Sequence, residues 1–406
     1  MPTPLQHAIE RLDQLSGISD SPDYLVRTFL SPANRKASEK VLEWMKALRM
    51  EVSHATDGTV RGILAGSDPK AKPLLLGSHI DTVIDAGKYD GPLGIIVALA
   101  ALETLQQEQI TLPFPVHLLA FSDEEGTRFQ STYLGSRSIT GPLDAATLAT
   151  KDSDGVTIAA AIEDHGWDEG ASTIRYTRGE CRGYVELHIE QGRVLEEAHE
   201  ACGVVSSIAG QSRLTIKLTG RADHAGTTPM PLRRDSLTGA AECILAAETL
   251  AKSRPPLLIT VGKIQLHPGA SNSIPQTTTF TIDLRHPEDD ARHQALAELR
   301  QQFSQIAEKR SLGLHWQPIQ DNDATPCDPT LTLHLLNSLA AVTGSRRSLT
   351  SGAGHDGVAV SKICPIAMLF IRCRDGLSHH PDEYASPEDI DTSIRVLTHF
   401  LKSLKP

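Results

Sequence analysis

The sequence predicts an α/β fold that carries an inserted, smaller open-sheet domain. Three observations predict it. Residues 59–122 run strand, strand, helix, strand in apolar segments. Near residue 203 the pattern changes to period-two alternation, and strands and helices then follow for about 115 residues. After about residue 322 the apolar α/β character returns, so the block between reads as an insertion. This gives a first domain part at 1–206, an inserted domain at 207–322 and a second part at 323–406.

Taken in order, the chain to about residue 50 reads as helical, broken at Pro22, with apolar residues at helical spacing in KASEKVLEWMKALRM. TVRGILAG and KPLLLGSH read as strands, with Gly66 and Pro69 marking the turn between them. GPLGIIVALAALETLQ (91–106) reads as a buried helix, and PFPVHLLAFS (113–122) as a strand buried on both faces. CRGYVELHIEQG (181–192) reads as a further strand ending at polar residues. GVVSSIAGQSRLTIKLTGRA (203–222) alternates as a strand exposed on one face. A helix at 235–253, two strands within 258–286 and an amphipathic helix at 289–310 complete the insertion. PTLTLHLLNSLAAVTG, ICPIAMLFIRC and a closing helix to Leu404 follow. There is no internal repeat and no low-complexity tract.

Composition narrows the function. At ~100–200 residues per domain, 406 residues make two or three domains. With 39 Lys+Arg against 50 Asp+Glu, the net charge of −11 argues against a nucleic-acid surface, which needs clustered cations. An anionic small molecule would need a local basic pocket. No apolar run reaches the ~18 residues of a spanning helix, so no membrane role is expected. The N-terminal MPTPLQHAIERLDQL lacks the order of a signal peptide. Six scattered cysteines with no C-x-x-C pair encode no zinc module. A reduced, cytoplasmic protein is expected.

Five stretches place acids and histidines at or just beyond predicted strand ends: GSHIDTV (77–83), KYDGPLG (88–94), FSDEEGTRF (121–129), ELHIEQG (186–192) and GLSHHPDE (376–383). In α/β sheets, ligands sit outside the carboxyl ends of strands, so these groups converge on one crevice. Each has an ordinary reading alone. His79 and His188 would be hydrogen-bonded or solvent-facing histidines, Asp90 a turn residue, Glu124 and Glu125 a solvated loop face, and His379 and His380 loop polar residues. Five such coincidences together are improbable, and mixed imidazole and carboxylate suits Zn²⁺ or Mn²⁺. In H-x-D, strand alternation puts His79 and Asp81 on one face, where Asp81 can hold the imidazole tautomer. Competing motifs are missing: no G-x-S-x-G elbow, no H-E-x-x-H helix, and SGAGHDG lacks the Lys-Ser/Thr of a phosphate loop.

In collinear order, GSHIDTV, YDGPLG, DEEGTRF, HIEQG, GRADHAGTTPM, GASNSIP, GAGHDG and GLSHHPDE resemble the M20-type dinuclear metallohydrolases over residues 60 to 390. HIEQG with HAGTTPM resembles the hydantoinase/carbamoylase amidase group: allantoate amidohydrolases, N-carbamoyl-L-amino acid hydrolases and β-ureidopropionases. FSDEEGTRFQSTYLGS and MLFIRCRDGLSHHPDE look closest to allantoate amidohydrolases.

The resemblance implies a catalytic domain with a central mixed sheet flanked by helices, and an inserted α+β lid and dimerisation domain forming a homodimer. It implies two divalent ions per subunit, Mn²⁺ favoured over Zn²⁺. His79 and His188 would bind one, Glu125 and His379 the other, and Asp90 both; the motif phase favours His379 over His380. Glu124 would be the general base and Asp81 would orient His79. His224 would stabilise the oxyanion, from its own or the neighbouring subunit. Gln211 and Asn272 would hydrogen-bond the ureido group, Arg285 would clamp a carboxylate, and Gly352 and Ala353 would offer backbone N–H groups; Arg233 and Arg234 are ambiguous. The implied reaction is hydrolysis of an anionic ureido acid, with allantoate giving ureidoglycine, ammonia and CO₂. The alternatives are an N-carbamoyl-L-amino acid hydrolase, a β-ureidopropionase, or a non-catalytic binding protein of this fold. Arg193, where Pro is common, and Asp223, where a small or amide residue is commoner, depart from the pattern.

Overall fold

The computed structural model describes residues 2–405. The chain divides into two compact units, one running to Ser206 and resuming at Cys327, the other Ser207–Pro326. The strands, in chain order, are β1 (Glu51–His54), β2 (Val60–Leu64), β3 (Leu74–His79), β4 (Val116–Phe121), β5 (Gly183–Ile189), β6 (Cys202–Ile208), β7 (Gly210–Thr219), β8 (Leu258–Thr260), β9 (Ile264–His267), β10 (Thr277–His286), β11 (Gly313–Asn322), β12 (Thr325–Pro326), β13 (Ser348–Ser351) and β14 (Ile366–Ile371).

The first unit holds a mixed sheet in the order β1-β2-β4-β3-β5-β14-β6, with β13 also on β6. Its centre, β4-β3-β5-β14, is parallel throughout. That explains the near-continuous apolar runs there: strands covered on both faces have no polar side to show. The helix Pro92–Gln107 lies against this centre and is buried along most of its length. Its approach is close enough that a Cβ on Gly94 would stand 2.1 Å from the carbonyl oxygen of Leu187. Its one buried acid, Glu103, is matched by His7 at 2.6 Å and Arg11 at 3.1 Å. Such pairing is what a charge in an apolar layer requires.

Because β3, β4, β5 and β14 run the same way, their carboxyl ends share one edge of the sheet. The loops after them are the stretches singled out in the sequence.

The second unit is an antiparallel sheet, β11-β7-β10-β8, with β9 also on β10. Helices Ser236–Ser253 and Asp289–Lys309 share a core with it, built on Ile216, Leu218, Phe280, Ile282, Leu299 and Phe303. Two details differ from the sequence reading. The stretch 203–222 is two strands in different sheets, and its first half, β6, is buried at most positions rather than alternating. The first expected strand of 258–286 is split into β8 and β9, which pair with different parts of β10. No helix among the described residues is long and apolar enough to cross a membrane. All six cysteines are buried and unpaired with one another.

Candidate metal centre

At the carboxyl edge of the first unit's sheet, three imidazoles and three acids point together. His79 ends β3, His188 lies one residue inside the end of β5, and Glu124 and Glu125 follow β4. Asp90 precedes the buried helix and His379 follows β14. His188 Nε2 lies 3.1 Å and His79 Nε2 4.0 Å from Asp90 Oδ1. His379 Nε2 lies 3.2 Å from Asp90 Oδ2 and 3.3 Å from Glu125 Oε1. Asp90 thus turns one oxygen to each histidine set. Three overlapping groups have ligand atoms mutually within 4.8 Å: His79–Asp90–His188, His79–Glu124–Glu125 and Asp90–Glu125–His379.

Backbone geometry makes this possible. Gly91 sits between the Asp90 loop and the helix with a φ of 79°, and a Cβ there would fall 2.4 Å from the His79 ring. Only glycine satisfies both constraints. Asp81 lies beyond the end of β3, so its reach to His79 does not come from strand alternation. Its Oδ1 is 3.3 Å from His79 Nδ1. The same carboxylate accepts the backbone N–H groups of Glu124 at 2.9 Å and Glu125 at 3.2 Å. Asp81 therefore fixes one imidazole and the turn that presents both glutamates.

The residues fit a pair of divalent ions. His79 Nε2 and His188 Nε2 face each other at 3.4 Å, where two lone pairs need a shared proton or a cation between them. Asp90 Oδ1 is buried without a well-directed hydrogen bond. Burial works against Asp90 ionising, yet His188, His379 and His79 hold it well below the usual carboxylate range. Burial works against a charged His79, yet Asp81, Glu124 and Glu125 draw it well above its ordinary value. Asp90 and Glu125 bring His379 up to about 10. These carboxylates collect positive charge, and bound metal would take the place of those protons. Glu124 is held well above the ordinary range, chiefly by burial, with Glu125, Asp356 and Asp81 adding to it and His79 opposing.

Of the two adjacent histidines, His379 turns to this cluster, while His380 Nδ1 accepts from the backbone N–H of Asp382 at 3.1 Å. Gly352 and Ala353 follow β13; the N–H of Ala353 donates to Ser351 Oγ at 3.2 Å.

The second unit carries the remaining expected residues in two places. His224 and Ser273 form a bridge, and the N–H of Ala225 donates to the carbonyl of Asn272 at 3.0 Å, so His224 and Asn272 adjoin. His224 is exposed, and its Nδ1 accepts the N–H of Gly226 at 3.1 Å. This leaves the proton on Nε2. Asp223 pairs with Arg221 at 2.8 Å. Gln211 and Arg285 are cross-strand partners. Both donate to Asp283, Gln211 at 2.9 and 3.1 Å and Arg285 at 2.8 and 2.9 Å.

Sequence reasoning missed Asp283, Gln191, Ser378 and Glu383. Gln191 Nε2 and Ser378 Oγ donate to Asp90 Oδ2 at 3.0 and 2.8 Å. Gln191, Ser378 and Glu383 stood inside stretches already noted for their histidines, which was the available signal.

Residues 75–403 match the family model for the M20/M25/M40 peptidases. The chain is 39% identical over 428 residues to an allantoate deiminase of Arabidopsis thaliana, covering 98% of this chain and 82% of that protein. It is 34% identical over 392 residues to an N-carbamoyl-L-amino acid amidohydrolase of Geobacillus stearothermophilus, covering 96% of each. The crystal structure of a hydantoinase/carbamoylase family amidase from Burkholderia multivorans superposes with a TM-score of 0.92 at 31% identity, covering 98% of this chain and 97% of that one.

Proposed function

The chain belongs to the M20/M25/M40 peptidase family, within its hydantoinase/carbamoylase amidases, and from that premise we propose that it hydrolyses the ureido group of allantoate. It is a metallo-amidohydrolase acting on non-peptide C–N bonds. The observation that carries the mechanism is Asp90, one carboxylate turned to two histidine sets, beside a buried Glu124.

His79 and His188 would hold one ion, Glu125 and His379 the second, and Asp90 both. Bound there, divalent ions lower the pKa of water and polarise a carbonyl. Glu124 takes the proton from the attacking water and returns it to the departing nitrogen. His224, with its proton on Nε2, would donate to the developing oxyanion, and it is proposed to do so from the lid. Arg285 and Gln211 would receive the substrate's carboxylate and ureido groups. Allantoate and water give ureidoglycine, ammonia and CO₂. Mn²⁺ is the proposed metal, and the second unit the proposed lid and dimer contact.

Support for allantoate comes from the Arabidopsis deiminase and from FSDEEGTRFQSTYLGS and MLFIRCRDGLSHHPDE. A second reading, N-carbamoyl-L-amino acids, is favoured by the Geobacillus relative, which aligns over nearly its full length. The test is ammonia release by Mn²⁺-loaded protein, comparing kcat/KM for allantoate with a panel of N-carbamoyl-L-amino acids. A preference of ~100-fold for allantoate is expected, about 2.7 kcal/mol of transition-state discrimination. The reverse preference moves the protein to the carbamoylases.

A further inference from the structure

We propose that Glu383 is a positioning residue that fastens the loop carrying Asp90 to the loop carrying His379, so that the two metal positions assemble as one. This rests on the dinuclear reading above, but Glu383 is in none of the candidate ligand groups.

Glu383 is 4% exposed. Its Oε1 accepts two backbone N–H groups, Tyr89 at 2.8 Å and Asp90 at 2.9 Å. Those donors are fixed by their peptide planes, so a single oxygen on which both converge sets the direction of the Asp90 main chain. The approach needs Gly87, since a Cβ there would lie 2.3 Å from the Cβ of Glu383. The other oxygen, Oε2, lies 3.1 Å from Ser378 Oγ. The single hydroxyl proton of Ser378 is therefore placed between Glu383 Oε2 and, at 2.8 Å, Asp90 Oδ2. Gln191 Nε2 donates to Ser378 Oγ at 3.1 Å and completes the array.

Ser378 and Glu383 bracket His379, which has a left-handed φ of 56°. That conformation is sparsely populated for a residue with a side chain. Both brackets are tied to Asp90. Asp90 belongs to two of the three candidate ligand groups, His79–Asp90–His188 and Asp90–Glu125–His379, so a loose Asp90 would loosen each. Groups that orient metal ligands in this way typically change metal affinity by about 10–100-fold when removed.

The test is calorimetric titration of Mn²⁺ into metal-stripped full-length protein, with elemental analysis of the loaded samples and circular dichroism of the stripped ones. Wild type should take two ions. Glu383→Ala should keep its stripped-state spectrum and bind at least one ion about 10–100-fold more weakly, with kcat reduced and KM little changed. Glu383→Gln, which keeps Oε1 as an acceptor, should restore affinity to within about threefold of wild type. Two ions bound by Glu383→Ala at wild-type affinity overturn the proposal. If Glu383→Ala does not fold, Ser378→Ala decides: weakened binding supports the coupling and wild-type affinity overturns it. Wild type that takes fewer than two ions overturns the dinuclear reading itself, which the other outcomes leave standing.

Discussion

Gly91 carries two demands at once, a φ of 79° and a ring of His79 where its side chain would be. Gly91→Ala is expected to displace His79 and to lower Mn²⁺ affinity by at least tenfold, read by titration of the stripped protein; unchanged affinity would show that the ring has room to move. Glu124→Gln keeps shape and loses the proton carrier. It should lower kcat by ~100- to 10,000-fold while both ions stay bound. Full turnover with two ions would remove Glu124 from its role. At this scale the residues that cluster were legible in the sequence, because His and Asp/Glu at strand ends are unusual together. Glu383, Ser378 and Gln191 were not, since an acid, a serine and a glutamine in loops have ordinary uses. Their meaning lies in contacts between distant parts of the chain: 294 residues separate Glu383 from Tyr89, 288 separate Ser378 from Asp90 and 101 separate Gln191 from Asp90.

Among the elements, long periodic segments were read correctly. The helices Ser236–Ser253 and Asp289–Lys309 have sheet-facing stripes that sequence spacing displays. Short ones were not: β1 has four residues, and the helices Leu134–Thr140, Ala145–Leu148 and Ile158–His165 are too brief to show a period. The 203–222 stretch misled because continuous β-type composition does not mark where a chain leaves one sheet for another. Asp235 caps the helix Ser236–Ser253 by accepting the N–H groups of Leu237 and Thr238 at 2.9 and 3.1 Å. Asp235→Ala should destabilise the second unit by about 1 kcal/mol in urea titration. On β4, His117 is held down to about 4 by burial, with the charge of Arg61 adding, and its Nδ1 lies 2.7 Å from Tyr176 Oη. A neutral His117 accepts that hydroxyl proton. Its folded value is below the unfolded one near 6.5, so the unfolded chain binds the extra proton. Stability from this residue is thus complete above about pH 6.5 and is lost as pH falls toward 4, by about 2 kcal/mol after allowance for partial exposure. His117→Gln should remove that part of the difference between urea stabilities at pH 7 and 4.5. An identical pH difference in both proteins would contradict it.

Besides a small cluster around Phe29, Phe129 and Ile158, the described residues form two larger hydrophobic cores. One is built entirely from residues before 207 and after 326, around Leu76, Leu99, Leu118, Val185, Leu369 and Leu397. The other lies within 214–312. Every residue of the candidate metal groups belongs to the first unit. Metal binds the folded form, so it stabilises by RT ln(1 + [L]/Kd), about 2.7 kcal/mol at a free concentration of 100 Kd. For a unit of this size that is a melting shift on the order of 5 °C. Scanning calorimetry of the full chain should therefore resolve two transitions, and a chelator should lower one while the other keeps its temperature. Asp235→Ala identifies the unmoved transition, because that helix packs into the second core. A chelator that lowers both transitions equally would mean that the two cores unfold as one cooperative system, and one that lowers neither would place no stabilising metal at His79, Asp90, Glu125, His188 and His379.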